Sequence, residues 1–250
     1  MSAGKPRSEK SRLDQLLVEK GLVESREKAR ALIMEGLVTV DGIRIDKPGH
    51  STSKTAALAV KQPLLSYVSR GGLKLEAALQ QFSPDLKDKI VLDVGASTGG
   101  FTDCLLRHGA RKVIAVDVGY GQLHWKLRQD PRVVLLEKTN IRYLRPENLG
   151  ERPDGATIDV SFISLRIVLP AVTELLGKRG WIIALIKPQF EVGREQVGKG
   201  GVVRDPDLHG EVVERIKEFC ARMGWGVRGE MQSPLLGPKG NKEFLLYLQG

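Results

Sequence analysis

Apolar positions follow two regimes along this 250-residue chain, and the change comes near residues 62–68. Ahead of it the periodicity is helical and short. Leu13, Leu16 and Leu17 share one face of a helix predicted over Arg12–Lys20, which Gly21 ends. Ser25 offers the hydroxyl of an N-cap for a second helix reaching about Met34, with Lys28 as its third residue in place of a capping-box acid, and Gly36 stops it. Leu37–Val40 then alternates as a strand into Asp41-Gly42, a pair suited to a tight hairpin turn. Thr55–Val60 is another short strand candidate, and Gln62-Pro63 closes the unit.

Beyond residue 68 strands and helices alternate. Strands are predicted at Lys89–Val94, Lys112–Asp117, Val133–Glu137, Gly155–Val160, Trp181–Lys187, Gly226–Met231 and Glu243–Gln249. Helices are predicted at Gly72–Phe82, Gly99–His108, Gln122–Gln129, Leu165–Leu176 and Leu208–Met223. Apolar strands separated by helices imply an α/β, Rossmann-like, mainly parallel sheet of seven strands covered on both faces. The last two strands have no helix between them, so the final one should run antiparallel. The expected organisation is a small α+β domain over 1–63, a linker over 64–68 and a larger domain over 69–250. Pro188–Asp207 carries four glycines and no clear period, which reads as a lid or a ligand-contacting loop.

Charge sharpens the picture of the front unit. The chain carries a formal +9, of which residues 1–65 hold +4 and the other 185 hold +5. The unit too small for an active site is thus the more basic per residue, which suggests docking onto phosphates. Two distant cysteines, Cys104 and Cys220, and four scattered histidines give neither a disulfide framework nor a metal site to build from. No signal-like segment or apolar run near the roughly 20 residues of a bilayer span is present, so a cytoplasmic protein without a membrane role is expected.

Candidate chemistry concentrates at strand ends. Asp93-Val94-Gly95-Ala96-Ser97-Thr98-Gly99-Gly100-Phe101 runs from a strand through a glycine turn into a helix whose free N–H groups can meet a ligand. Its spacing is not that of dinucleotide binders. A strand-end carboxylate suits an ammonium group and would repel a pyrophosphate. Asp117, 24 residues after Asp93, is placed to accept both hydroxyls of an adenosine ribose, with Val118 beside it; Thr139-Asn140-Ile141 can contact the adenine edge. Together they describe a nucleoside with an aminoacyl tail, S-adenosylmethionine, with Asp159 also lining the site.

Asp159 and Lys187 end the fourth and fifth strands, Glu243 opens the last, and Lys74 sits on the helix leading into the sheet. Two lysines and two carboxylates could then converge where such sheets bind ligands. A ribose hydroxyl is a poor nucleophile and needs orientation and a partner for its proton. Lys187 is the expected base or alkoxide stabiliser, with Lys74, Asp159 and Glu243 orienting it and the ribose. A neighbouring lysine favours its neutral form and the acids favour its charged form, a balance left open at this point.

Residues 68–250 resemble the FtsJ-type RNA 2′-O-methyltransferases, and the full chain resembles their TlyA, or hemolysin-A-like, branch. The shared stretches are Ser69–Leu75, Gly95–Thr102, Val116–Leu123, Lys187–Gly193 and Gly240–Phe244. The resemblance places the family's Lys-Asp-Lys-Glu tetrad on Lys74, Asp159, Lys187 and Glu243, and Phe162 at a position near the methyl group. Arg12-Leu13-Asp14, Gly21, Ser25-Arg26 and Gly36–Gly42 are similar to the RNA-binding domain first described in ribosomal protein S-four. The branch implies cytidine 2′-O-methylation of ribosomal RNA within ribosomal subunits. Tyr67 stands where the family's linker carries an aromatic, although Leu64-Leu65-Ser66-Tyr67 departs from that pattern. Phosphate contacts are expected from Arg12, Lys20, Arg26, Lys28, Arg30, Arg70 and Lys199. Two other classes stand beside this one. A non-catalytic assembly factor would be favoured by a lost tetrad residue, and a cytolysin would need a membrane segment.

Overall fold

The computed structural model describes residues 9–23, 25–34, 36–60 and 67–250. The chain divides into two compact units, Met1–Leu65 and Ser66–Gly250. Gln62-Pro63 and positions 64–66 of the expected linker lie outside the described residues.

The front unit opens with strand β1 (Lys10–Arg12) and helix α1 (Leu13–Glu19), followed by α2 (Arg26–Met34). Strands β2 (Val38–Val40), β3 (Ile43–Ile45), β4 (Ser51–Ser53) and β5 (Leu58–Val60) complete it. The apolar spacing in α1 buries Leu13 and Leu17 against Ala29 and Ile33 of α2 and Val38 of β2. Ser25 Oγ accepts from the Lys28 amide at 3.2 Å, which makes it the cap of α2. Asp41 and Gly42 both adopt positive φ, 50° and 81°, in the β2–β3 turn. Two strands were not expected. β1 and β4 pair antiparallel through Lys-Ser-Arg and Ser-Thr-Ser, sequences with no apolar alternation to announce a strand.

Asp14 is the polar centre of this unit. Its fully buried carboxylate takes Arg12 through two nitrogens at 3.0 and 3.1 Å and Arg26 at 3.1 Å. The Arg12 guanidinium, with Arg26 behind it and against the opposing effect of burial, holds this carboxyl down at about 2. Because the folded value lies below the ordinary 3.8, the stabilisation is complete above pH 4 and is lost as pH falls towards 2. A shift of this size corresponds to roughly 2 kcal/mol. Hydrogen exchange in α1 and α2, corrected for intrinsic rates, should therefore lose protection over that window. In Asp14→Asn protection should already be low at pH 6 and vary little with acidity. Equal protection of the two proteins at pH 6 would reject the tie.

The larger unit begins with α3 (Gly71–Phe82), β6 (Ile90–Val94), α4 (Gly100–Arg107) and β7 (Lys112–Val116). It continues through α5 (Trp125–Arg128), β8 (Val133–Leu136), β9 (Gly155–Ile158), α6 (Leu165–Leu176) and β10 (Trp181–Ile186). Helix α7 (Pro206–Arg222), β11 (Gly226–Gln232) and β12 (Phe244–Gln249) end it. The seven strands lie in the order β11-β12-β10-β9-β6-β7-β8, and β12 alone runs antiparallel to its neighbours. Alternation distributes the core: Ile90, Leu92, Val94, Ala156 and Ile158 pack with α6 and α7. Val91, Val113, Ala115, Ile183, Leu185 and Leu245 pack with α3 and α4. Helix α5 is shorter than expected, because Gln122 and Leu123 stay in the preceding loop and the His124 side chain caps it from the Lys126 amide. Helix α7 starts at Pro206, capped by Asp205, earlier than the apolar period indicated.

Candidate active site

Alternation decides which strand-end charges meet. Asp159 lies two residues past Thr157, Lys187 two past Leu185, and Glu243 two before Leu245, positions that all belong to the sheet face covered by α3 and α4. Lys74 is on α3. Ile186 pairs with Phe244 in the antiparallel ladder, so Lys187 and Glu243 occupy the next opposed positions. Lys187 Nζ lies 2.5 Å from Asp159 Oδ1, off the hydrogen-bond direction of that oxygen, and donates to Ser161 Oγ at 3.0 Å. Lys74 Nζ donates to Glu243 Oε2 at 2.5 Å. The other carboxylate oxygen of Glu243 is buried and has no hydrogen-bond partner among the described residues. The four groups thus form one series, Asp159, Lys187, Glu243 and Lys74.

Glycines let this series close. A Cβ on Gly237 would come within 2.0 Å of Glu243 Oε1, and one on Gly95 within 2.4 Å of the Asp159 carbonyl oxygen. Gly95 also has a φ of 86°, so the turn after β6 needs glycine twice over.

Beside the series lies a cleft of about 400 Å³, within the range of small-molecule sites. Among the expected cofactor contacts, Gly95, Ser97, Asp117, Val118, Asn140, Ile141 and Asp159 line it. Asp117 Oδ2 accepts the Ser97 amide at 2.8 Å and Oδ1 the Gly119 amide at 2.7 Å, which fixes its carboxylate at the rim with further lone pairs free. Thr98, Gly99, Gly100 and Phe101 do not line the cleft. Gly99 and Gly100 are buried, and Phe101 belongs to the core under α3. Gly100 sits so close to Ser69 and Gly72 that α3 and α4 can touch there.

Asp93 requires a correction. It was expected to receive a ligand ammonium group, but it is wholly buried and each of its oxygens accepts a threonine hydroxyl. Thr102 Oγ1 donates to one at 2.6 Å and Thr157 Oγ1 to the other at 3.0 Å. Asp93 shares the sheet face of Asp159 but is covered by α4 and is not among the cleft-lining residues, and burial raises its carboxyl to about 6. Asp93 ties β6 to α4 and β9.

Several contributors carry no signal of their own in the sequence. Gln122, Val160, Ser161 and Ile163 line the cleft. Glu191, buried, accepts from Ser164 Oγ at 2.6 Å and from the Leu165 amide at 2.7 Å. With Lys187 at the other end, it laces the loop after β9 to the loop after β10. Between those ties Phe162 stands 90% exposed with a φ of 64°, its ring 5.0 Å from that of Phe190. A non-glycine residue held in this region stores strain, a frequent feature of functional loops.

The expected RNA contacts divide between the units. Arg12 and Arg26 are half-exposed guanidinium groups anchored from behind by Asp14. Arg30 is exposed one turn beyond Arg26, and Lys20 donates to the Ala56 carbonyl oxygen at 3.3 Å. Lys28 supplies the amide that Ser25 caps. In the larger unit Arg70 precedes α3, and Lys199 is exposed in the loop between β10 and α7.

Comparisons with known proteins agree with this architecture. Residues 67–250 match the FtsJ-like methyltransferase family and residues 11–51 the S4 domain. YqxC of Bacillus subtilis, provisionally named an rRNA methyltransferase, is 55% identical over 96% of this chain and 86% of its own. The 16S/23S rRNA (cytidine-2′-O)-methyltransferase TlyA of Mycobacterium tuberculosis is 48% identical over 96% of this chain and 90% of its own. A solved structure from Streptococcus thermophilus, provisionally named a hemolysin, covers 97% of this chain and 89% of its own at 48% identity, with a TM-score of 0.76. With its seven-stranded sheet, antiparallel last strand and front S4 domain, the chain belongs to the FtsJ-like methyltransferase family.

Proposed function

We propose that the protein methylates a ribose 2′-hydroxyl, that of a cytidine, in ribosomal RNA carried by ribosomal subunits, with S-adenosylmethionine as methyl donor. The observation that carries this reading is the Asp159–Lys187–Glu243–Lys74 series lying against a cleft lined by Asp117 and Asn140. The donor set fits the cofactor: a carboxylate fixed at the rim suits ribose hydroxyls, and an Asn140–Ile141 edge suits a purine. When bound, S-adenosylmethionine supplies an electrophilic methyl group on a sulfonium.

The chain's own residues handle the hydroxyl. Lys187 Nζ is held by Asp159 and Ser161 and presents positive charge to the ribose oxygen as it takes the methyl group from the departing thioether and gives up its proton towards the Glu243 carboxylate. Asp159, at the edge of both cleft and series, orients the hydroxyl towards the methyl group. Glu243 Oε1, buried and with no hydrogen-bond donor among the described residues, accepts from the incoming ribose in this reading. The exposed, strained Phe162 offers a ring on which the target base can stack once it leaves its helix. The names of the relatives support ribosomal RNA as substrate, and the S4 match with the Arg12–Arg26 pair supports phosphate docking by the front domain.

Tritiated methyl transfer onto separated subunits and naked rRNA, followed by nucleoside digestion, tests the reading. Label is expected as 2′-O-methylcytidine in subunits; label in a base or a protein instead rejects it. In a parallel salt titration, changing Arg26 and Arg30 together to Glu should weaken RNA association and flatten its salt slope by about two, one for each lost phosphate contact. Unchanged affinity would remove the docking role.

A further inference from the structure

The exposed aromatic side chains among the described residues all lie in the larger unit, on loops leaving the carboxyl ends of its strands or at the short helices those loops enter: Tyr120, Trp125, Tyr143 and Phe162. Phe162 belongs to the site already described. Tyr120, 71% exposed, and Trp125, 55% exposed, occupy the loop from β7 and the start of α5, beyond the cleft-lining residues Val118 and Gln122. Each ring carries a cation. Lys138 Nζ lies 4.5 Å from the Tyr120 ring centre, and Lys126 Nζ lies 5.8 Å from that of Trp125. The His124 ring stacks on Trp125 at 6.0 Å.

The support beneath these rings is rigid. The Lys138 amide donates to the Gly119 carbonyl oxygen and the Thr139 amide to that of Asp117, both at 2.9 Å. Glu137 accepts the Gly121 amide at 2.8 Å and pairs with Arg128. The His124 amide reaches Thr98 at 3.2 Å. Lys138 itself has a φ of 52°, a strained conformation that aims its ammonium group over the ring. Glu137, the neighbouring acid, is engaged by Arg128, so the two ammonium groups keep their charge available to an anionic partner.

A hydrophobic protein partner has no use for an ammonium group on each ring, whereas nucleic acid uses both parts. A nucleobase stacks on the open face of the ring, and its phosphate meets the cation. We propose that Tyr120 with Lys138 and Trp125 with Lys126 form a second RNA-contact surface, which takes unpaired nucleobases flanking the target nucleotide. The proposal rests on the ribose-methylation reading, because a target lifted out of its helix leaves unstacked neighbours beside the cleft. Its residues are separate from those that grip phosphates in the front domain.

Tryptophan fluorescence provides the test. Trp125 is open to solvent, whereas Trp181 and Trp225 are 6% and 2% exposed, so acrylamide quenching of the full-length protein reports mainly on Trp125. A single-stranded pyrimidine oligoribonucleotide of about ten residues should reduce the quenching constant at least about twofold, while a blunt RNA duplex should not. Tyr120→Ala should weaken binding of that oligonucleotide about tenfold, as expected for the loss of one stacked base. Trp125→Ala should raise KM for ribosomal subunits with kcat and S-adenosylmethionine affinity retained. Quenching unchanged by single strands, equal shielding by the duplex, or shielding only by ribosomal protein would each overturn the surface. Shielding by single strands without methyl transfer by the wild-type enzyme would leave the surface standing and reject the activity. Transfer without shielding would reject the surface alone.

Discussion

Lys187→Met is expected to lower methyl transfer to ribosomal subunits by about a thousandfold, the scale of a lost oxyanion-stabilising group, while S-adenosylmethionine still binds. The buried ammonium group holds its place through Asp159 and Ser161, and methionine keeps the stem but removes the charge that meets the developing oxyanion. Asp159 is left without its counter-ion, but its side chain is 22% exposed and water can solvate it, so the fold should tolerate the change. Single-turnover transfer with enzyme in excess separates this loss from slow product release. A variant keeping a tenth of wild-type turnover would exclude Lys187 from the chemistry.

Lys74→Met should act on stability as well as on activity. Glu243 is fully buried, one of its oxygens has no hydrogen-bond partner among the described residues, and the other depends on Lys74. Removing one member of a buried pair strands the other charge at a cost of about 3–5 kcal/mol. For a chain of this size the melting temperature should fall by about 10 °C. Replacing both, as Lys74→Met with Glu243→Leu, should recover most of the stability because no lone charge remains, and should leave the enzyme inactive. Thermal melts and transfer assays on the three proteins distinguish these effects. A single variant that melts like wild type would show that the pair does not hold the site together.

Much of the site was legible because strand ends carry a strong signal. Asp159 and Lys187 follow apolar runs directly, and Glu243 precedes one, so charge at a sheet edge could be inferred from periodicity alone. Asp93 produces the same signal and plays a different part, because α4 packs over it and the hydroxyls of Thr102 and Thr157 bind its oxygens. Ser161 and Glu191 announce nothing in the sequence; their roles come from two loops approaching each other in space. The β1–β4 pair was missed for a related reason. Its residues are polar, and its pairing depends on two segments far apart in the front domain meeting rather than on local propensity.

The reversed direction of β12 has a consequence for the order of assembly. A strand running against its neighbours presents its beginning where they present their ends, and so the quartet is completed by the residue just before β12, 169 positions after Lys74. The ribosome therefore makes the cofactor cleft, Asp159 and Lys187 well before residue 243. The quartet is complete only once β12 lies between β10 and β11.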